Sequence, residues 1–489
     1  MTGEKGAAVV VVGFRLTGRA VAGYLAARGE RIVIVEDDPT DERRHQAAAL
    51  GAEFLAHPGV DELRPVLAQS RLVVPSPGIP PAHPVYRAAA EAGVPVHSEL
   101  ELGWERLAAR PPAARPRLVA VTGTNGKTTV TSLVAAMLVQ SGRVAVAAGN
   151  IGLPLVDAAA LEADVLVAEV SSFQLQFTER FHPAVSCWLN LAEDHLDWHP
   201  TAEHYAAAKA RIWANQGAGD VAVVNAADAG VMATAGNPTH GLPAGVTRVT
   251  FDGAGGATGD WHVDGDMLRG PEGIGLVTVG EMVRALPIDI ANSLAAAATA
   301  LAAGASVEGC REALRQFIGL PHRVELVAEC DGVRWYDDSK STTPASVLAA
   351  VAGFPSVVLI AGGRNKGLDL GVLGRAAPPV RAVIAIGEAA GEVAQAFAGR
   401  AAVTCADSMA EAVAAAAEVA VAGDAVLLSP GCASFDWYRS YAERGEQFTA
   451  LATAVCGVGA SGVRAAGGRA GVGKSGVGEI GVRDEGVDR

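Results

Sequence analysis

Lysine is scarce in this chain. Of 39 basic residues among 489, only six are lysine: Lys5, Lys127, Lys209, Lys340, Lys366 and Lys474. Alanine and glycine are abundant, which fits codon pressure that replaces lysine wherever any cation will serve. The lysines that remain mark places where an ammonium and a guanidinium differ chemically. Cysteine is also sparse, six residues with no CxxC pair, so neither a disulfide framework nor a zinc site is expected. Basic charge is in deficit, with a net charge of -14, which excludes a general nucleic-acid binder. No run approaches the ~20 apolar residues of a membrane span. The apolar run near the N-terminus breaks at Gly13-Phe14-Arg15 and reads as a first buried strand, not a signal peptide. These absences predict a cytoplasmic chain without membrane insertion.

What the chain does contain is hydrophobic residues at 50%, enough for several cores, and a length suited to about three domains of ~150 residues. Unbroken Val/Ile strands alternate with alanine-rich helical patterns, the signature of parallel sheets covered on both faces. The fold class is therefore α/β. A strand is predicted over Ala8–Val12, a helix around Arg19–Arg28 and a second strand over Arg31–Val35. A Pro/Arg linker at Arg110–Arg117 precedes strand Leu118–Val121. Further strands are expected at Ser356–Ile360, Ala382–Ile386 and Ala425–Leu428, each running into glycine or Ser-Pro. Ligands bind outside such strand ends in open α/β sheets. The division expected is residues 1–110, 111–320 and 321–456, with 457–489 a disordered Gly/Val/Arg tail.

Four motifs carry chemistry. Thr122-Gly123-Thr124-Asn125-Gly126-Lys127-Thr128-Thr129 sits between a strand and a helical pattern over Val130–Val139, the context of a phosphate loop. Its backbone N–H groups and helix N-terminus suit phosphates, Lys127 the terminal phosphate, and Thr128 a Mg²⁺ ion. Val121 stands where the usual first glycine of a strict P-loop would be. Strand Asp164–Val167 leads into Ala168-Glu169, where Glu169 stands as a Walker-B acid does, or else is a solvated strand-end glutamate. Asn190-Leu191-Ala192-Glu193-Asp194-His195-Leu196-Asp197 precedes a helix over Ala206–Trp213 that holds Lys209; taken alone it also fits a capping cluster. Gly319-Leu320-Pro321-His322-Arg323 and Asp337-Asp338-Ser339-Lys340-Ser341-Thr342 could equally form a surface ion-pair network.

Together these motifs resemble the ATP-dependent Mur ligases and their folylpolyglutamate synthetase relatives, over nearly the whole chain except the tail. The resemblance implies a three-domain Mur ligase architecture: a Rossmann-like N-terminal UDP-binding domain, a central P-loop ATPase domain and a Rossmann-like C-terminal domain. It implies ATP on Gly123 to Thr129, with Asn292, Arg323 and Asp338. Relatives bind adenine with asparagines near Ile288-Asp289; Asn292 fits and Asp289 departs, which leaves helix capping as a competing role for Asp289. Two Mg²⁺ ions are implied on Thr128, Glu169, His195 and Lys209, the last carbamylated, because an amine that takes up CO₂ becomes a metal-binding carboxylate and a guanidinium cannot. Lys127, Lys209, His195, Asp338 and Lys340 form the implied catalytic set.

Gly-Leu-Pro-His-Arg, Asp-Ser-Lys-Ser-Thr and Ser429-Pro430-Gly431-Cys432-Ala433-Ser434-Phe435-Asp436 narrow the likeness to the member that joins D-glutamate to UDP-N-acetylmuramoyl-L-alanine. The Asp-Asn-Pro-Arg signature of the member that adds a diamino acid is absent. By resemblance, Thr342, Lys366, Ser434 and Tyr441 hold the glutamate, Tyr441 mainly through its backbone. Asn150 joins the substrate set. Thr17, Ser76, Glu36 and Asp37 serve the uridine diphosphate. The implied reaction is ATP-dependent amide formation through an acyl phosphate, by a monomer. Two other classes compete. A nicotinamide dehydrogenase is opposed by Arg15, which breaks the dinucleotide fingerprint, and a non-catalytic scaffold would not need Glu169, His195 and Lys209 beside a nucleotide.

Overall fold

The computed structural model describes residues 6–192, 194, 198–254 and 258–459. Three principal sheets follow one another along the chain. The first orders its strands Glu53–Ala56, Ile32–Glu36, Ala8–Val12, Ser70–Pro75, all parallel. Its unbroken apolar strands are buried on both faces. Val9, Val11 and Ile34 pack against Leu25 on one side, and Val10, Val33 and Val35 against Leu63, Leu67 and Val85 on the other. A strand with no polar alternation has no face to give to water, so helices must cover both.

The second sheet is also all-parallel, in the order Thr247–Phe251, Val221–Asn225, Val185–Trp188, Arg117–Thr122, Val165–Glu169, Ala145–Gly149. The central strand Arg117–Thr122 feeds the helix Lys127–Gln140. This helix packs on the alanine-rich helix Pro287–Ala302, because small side chains let two backbones approach closely. A separate antiparallel sheet of His262–Asp264, Met267–Arg269 and Gly275–Thr278 flanks the unit. No alternation in the sequence had marked it.

The third sheet is mixed. Val333–Asp337, Ala425–Leu428, Val357–Gly362, Val380–Ile386 and Ala402–Ala406 run parallel, and Glu325–Cys330 adds an antiparallel edge through a hairpin. The helix Tyr441–Gly459 lies along that edge strand.

The cysteine expectation needs correction here. Cys330, the last residue of the edge strand, is disulfide-bonded to Cys456 on the helix, across 126 residues of sequence. Spacing rules detect local pairs and ligand sets, and this pairing arises only when the helix docks. The helix continues to Gly459, three residues into the segment expected to be a tail; residues 460–489 lie outside the described residues. No described helix is long and apolar enough to cross a membrane.

Candidate active site

One cleft of about 420 Å³ opens where the three sheets meet. Its floor is the phosphate loop. Asn190 clamps that loop: its Oδ1 accepts the N–H groups of Thr124 and Asn125 at 2.9 and 2.8 Å, and its Nδ2 donates to the Asn125 carbonyl at 3.1 Å. Gly126 has φ +83°, and a Cβ there would lie 2.6 Å from Asn292 Oδ1. Only glycine lets the loop lie against the helix that carries Asn292. Lys127 Nζ donates to the carbonyls of Gly123 and Thr124 at 3.0 and 2.9 Å, turned into its own loop. Enclosure lowers its pKa, against the opposing pull of the Glu169 and Asp194 carboxylates.

Beneath the floor, Lys209 is fully buried on the helix Ala202–Ala210. Its Nζ donates to the Gly123 carbonyl at 2.9 Å and sits 4.6 Å from the centre of the Tyr205 ring. Burial drives its pKa well below the ordinary lysine value, and the neighbouring Lys127 charge lowers it further. Glu169 ends its strand at the cleft, where Oε1 accepts Asn150 Nδ2 at 3.0 Å. Glu169 Oε2 is buried with no hydrogen-bond partner. Buried carboxylate oxygens are normally satisfied, so one that lines a cleft is a natural cation ligand. Asp194 lines the cleft as well, and His195 lies outside the described residues.

The third unit closes the cleft from above. Arg323 crosses to the phosphate loop, and its Nη2 donates to Thr128 Oγ1 at 2.7 Å. Asp338 is buried and accepts from Ser341 Oγ at 2.5 Å, Ser429 Oγ at 2.7 Å and the Val324 N–H at 3.2 Å. Burial raises its pKa to about 7 despite those bonds. Lys340 reaches over the Tyr441 ring, 3.7 Å from its centre. Thr342 and the exposed Lys366 line the rim, and Asn292 lines the wall with Ile288 and Asp289. Asp289 Oδ2 accepts the Leu286 N–H at 3.2 Å, the capping bond, and also pairs with Arg284.

The remaining expected residues lie off this wall. Ser434 is buried with an unpartnered Oγ, and the Tyr441 carbonyl accepts Ser339 Oγ at 2.7 Å. In the first unit, Ser76 Oγ donates to the Gly13 carbonyl at 3.1 Å, and the loop after it brings Pro77 and Gly78 to the cleft. Thr17 is half-buried on the helix that follows the Gly13 turn. Glu36 turns inward, accepting the Phe14 N–H at 2.6 Å and the Asp38 N–H at 2.9 Å, while Asp37 pairs with His83 at 3.2 Å.

Residue-type reasoning passed over several residues. Arg444 is buried and ties Ser339 to the Cys432 carbonyl, joining two loops of the third unit. Trp198 and Phe173, 4.7 Å apart in an edge contact, both line the cleft. Arg284 binds Asp289 and the Arg323 carbonyl. None of these had a motif. The surviving-lysine argument had no counterpart for arginine in a chain so rich in it.

Three α/β units around a phosphate-loop cleft define a modular nucleotide-binding enzyme of the α/β class. Residues 7–98 match the Mur ligase MurD-like N-terminal domain, residues 121–252 the Mur ligase middle domain and residues 322–432 the Mur ligase glutamate ligase domain. Named relatives extend over nearly the full length. The UDP-N-acetylmuramoylalanine–D-glutamate ligase of Frankia casuarinae is 44% identical over 92% of this chain and 94% of its own. That of Thermobifida fusca is 41% identical over 93% of this chain and 99% of its own. Among solved structures, MurF from Acinetobacter baumannii shares the fold at 16% identity and TM-score 0.57, covering 91% of this chain and 93% of its own. UDP-N-acetylmuramate-alanine ligase MurC from Thermotoga maritima does so at 18% identity and TM-score 0.55, covering 92% of this chain and all of its own. The chain belongs to the Mur ligase family.

Proposed function

We propose that this enzyme joins D-glutamate to UDP-N-acetylmuramoyl-L-alanine at the expense of ATP, in cytoplasmic synthesis of peptidoglycan precursors. The observation that carries the reading is a single cleft holding both the phosphate loop and, across from it, Thr342 and Lys366. The Frankia and Thermobifida relatives bearing that name support it. An alanyl carboxylate oxygen attacks the ATP γ-phosphorus and ADP leaves. The deprotonated amine of D-glutamate then attacks the acyl carbon and inorganic phosphate leaves. Lys127 swings from its own loop carbonyls to the phosphates, Arg323 leaves Thr128 for the same charge, and Asp338 and Lys340 hold the third unit over the nucleotide. Lys366, with the Thr342 hydroxyl, Ser434 and the Tyr441 backbone, takes the glutamate carboxylates. Thr17, Ser76, Glu36 and Asp37 serve the uridine diphosphate, and Asn150 the muramoyl-alanine. The enzyme is read as acting as a monomer.

The residues present fit magnesium. Glu169 Oε2 is buried and unpartnered, the Thr128 hydroxyl stands beside the phosphate loop, and Lys209 lies beneath it with a depressed pKa. Thr128, Glu169, His195 and carbamylated Lys209 would hold two Mg²⁺ ions, which neutralise phosphate charge when bound. The neutral amine is the form able to add CO₂, and burial favours that form at Lys209.

The test is phosphate release from ATP with UDP-N-acetylmuramoyl-L-alanine and a panel of amino acids. Release should require D-glutamate, with L-glutamate, L-lysine and diaminopimelate inactive. A signal dependent on lysine or diaminopimelate would assign the enzyme to another step.

A further inference from the structure

Residues 322–324 carry an unusual backbone. His322 has φ +59° and Val324 φ +50°, both left-handed and neither glycine. Such residues are strained and persist only where surrounding groups hold them. Between them stands Arg323, whose Nη2 reaches Thr128 Oγ1 at 2.7 Å on the phosphate loop. The peptide is held from the third unit through the Val324 N–H on Asp338 Oδ1 and the His322 carbonyl, which accepts the Lys340 N–H.

From the second unit it is held by Arg284. Its Nη1 donates to the Arg323 carbonyl at 2.7 Å, while Nη2 and Nε donate to the two oxygens of Asp289 at 2.7 and 3.3 Å. Asp289 in turn caps the helix Pro287–Ala302, the same helix that presents Asn292 to the cleft. Gly319 makes room for this fork: it has φ +91°, and a Cβ there would lie 2.5 Å from Arg284 Nη1. A planar guanidinium can bind a carboxylate with one edge and a carbonyl with its remaining N–H, which an ammonium cannot do in this geometry.

We propose that Arg284 is a positioning residue that couples the nucleotide-lining helix to Arg323. Its fork on Asp289 fixes the Arg323 main chain, so that the Arg323 guanidinium is delivered to the nucleotide phosphates. The inference rests on the ATP-ligase reading for the place of the phosphates, and it predicts a pattern that simple packing would not give.

The test is a double-mutant cycle on nucleotide binding, by calorimetry with MgATP and with adenosine, other substrates omitted. Losing a charge-assisted hydrogen bond or its delivery costs about tenfold in affinity. Arg284→Met and Arg323→Met should each weaken MgATP by about that factor and leave adenosine within about twofold. The double variant should bind MgATP no worse than Arg323→Met alone, because the two residues act through one contact. Arg284→Lys, which keeps the cation beside Asp289 but loses the fork, should match Arg284→Met and carries the test where the methionine variant fails to fold. Multiplicative losses in the double variant, or an equal loss of adenosine binding, would overturn the proposal. D-glutamate-dependent phosphate release by the unaltered enzyme is measured separately, so failure of the ligase reading shows there and not in the binding cycle.

Discussion

Lys209 shows how one residue's chemistry is decided by its surroundings. A helix lysine facing water would be an ordinary cation, and arginine would serve as well. This one is buried beneath the phosphate loop, close to Lys127, and both desolvation and that neighbouring charge favour the neutral amine. If it acts as a carbamate, charge conservation will not rescue its loss. Lys209→Arg should fall by about a hundredfold or more in kcat/KM, close to Lys209→Ala. Short carboxylic acids should restore part of the alanine variant's activity and little of the arginine variant's, whose side chain fills the space. Full activity in Lys209→Arg would reduce Lys209 to a cation. The lysine count singled out this position, because a surviving ammonium in an arginine-rich chain is a local signal. Arg284 had no such signal: its partner Asp289 reads as a helix cap, which it is, and its other partner is a carbonyl 39 residues away.

At the scale of elements, parallel strands were legible and the edges of the third unit were not. Buried parallel strands need continuous apolar runs, so Ala8–Val12 and Ala425–Leu428 stand out in any reading of the sequence. Glu325–Cys330 is half-exposed on one edge and interrupted by polar residues, and its identity depends on the hairpin and on the helix laid against it. The Cys330–Cys456 bond fastens that helix to that strand. In the loop-entropy picture, a closed loop of 126 residues is worth up to about 5 kcal/mol. Cys330→Ser should therefore lower the melting temperature by several degrees without reductant, and dithiothreitol should bring the unaltered protein down to the same value. Equal melting temperatures with and without reductant would show that docking alone holds the helix.

The whole molecule depends on how the first unit seats on the second. The helix Glu99–Ala108 makes that joint. Glu101 accepts the N–H groups of Glu179, Arg180 and Phe181 at 2.8 to 3.1 Å, and Glu99 Oε1 accepts the Val156 N–H at 2.6 Å. Burial pushes the Glu99 carboxyl to about 8 in the folded protein, from the usual carboxylate range. A carboxyl with a raised folded pKa binds its proton more tightly in the native state. Stability it contributes is then complete below the unfolded pKa and is lost as pH rises towards about 8, with a slope of at most about 1.4 kcal/mol per pH unit. Glu99→Gln stays neutral at every pH. Its melting temperature should decline less between pH 6 and 9 than that of the unaltered protein; parallel declines would remove Glu99 from the pH response.

The sequence by itself determined the three α/β units and the phosphate loop, and it singled out Lys127, Lys340 and Lys366, which line the cleft, and Lys209, which is buried against the loop. Those features are written in contiguous residues, where strand burial, loop glycines and side-chain chemistry act over a few positions. Tertiary structure alone decided which groups share the cleft, that Glu169 presents an unpartnered oxygen there, and that Arg323 meets Thr128 across 195 residues. It also decided the Cys330–Cys456 bond and the Arg284 fork. Each of these depends on distance and direction between elements far apart in the chain. Local periodicity constrains which face of an element is buried, and only the packed molecule fixes what that face meets.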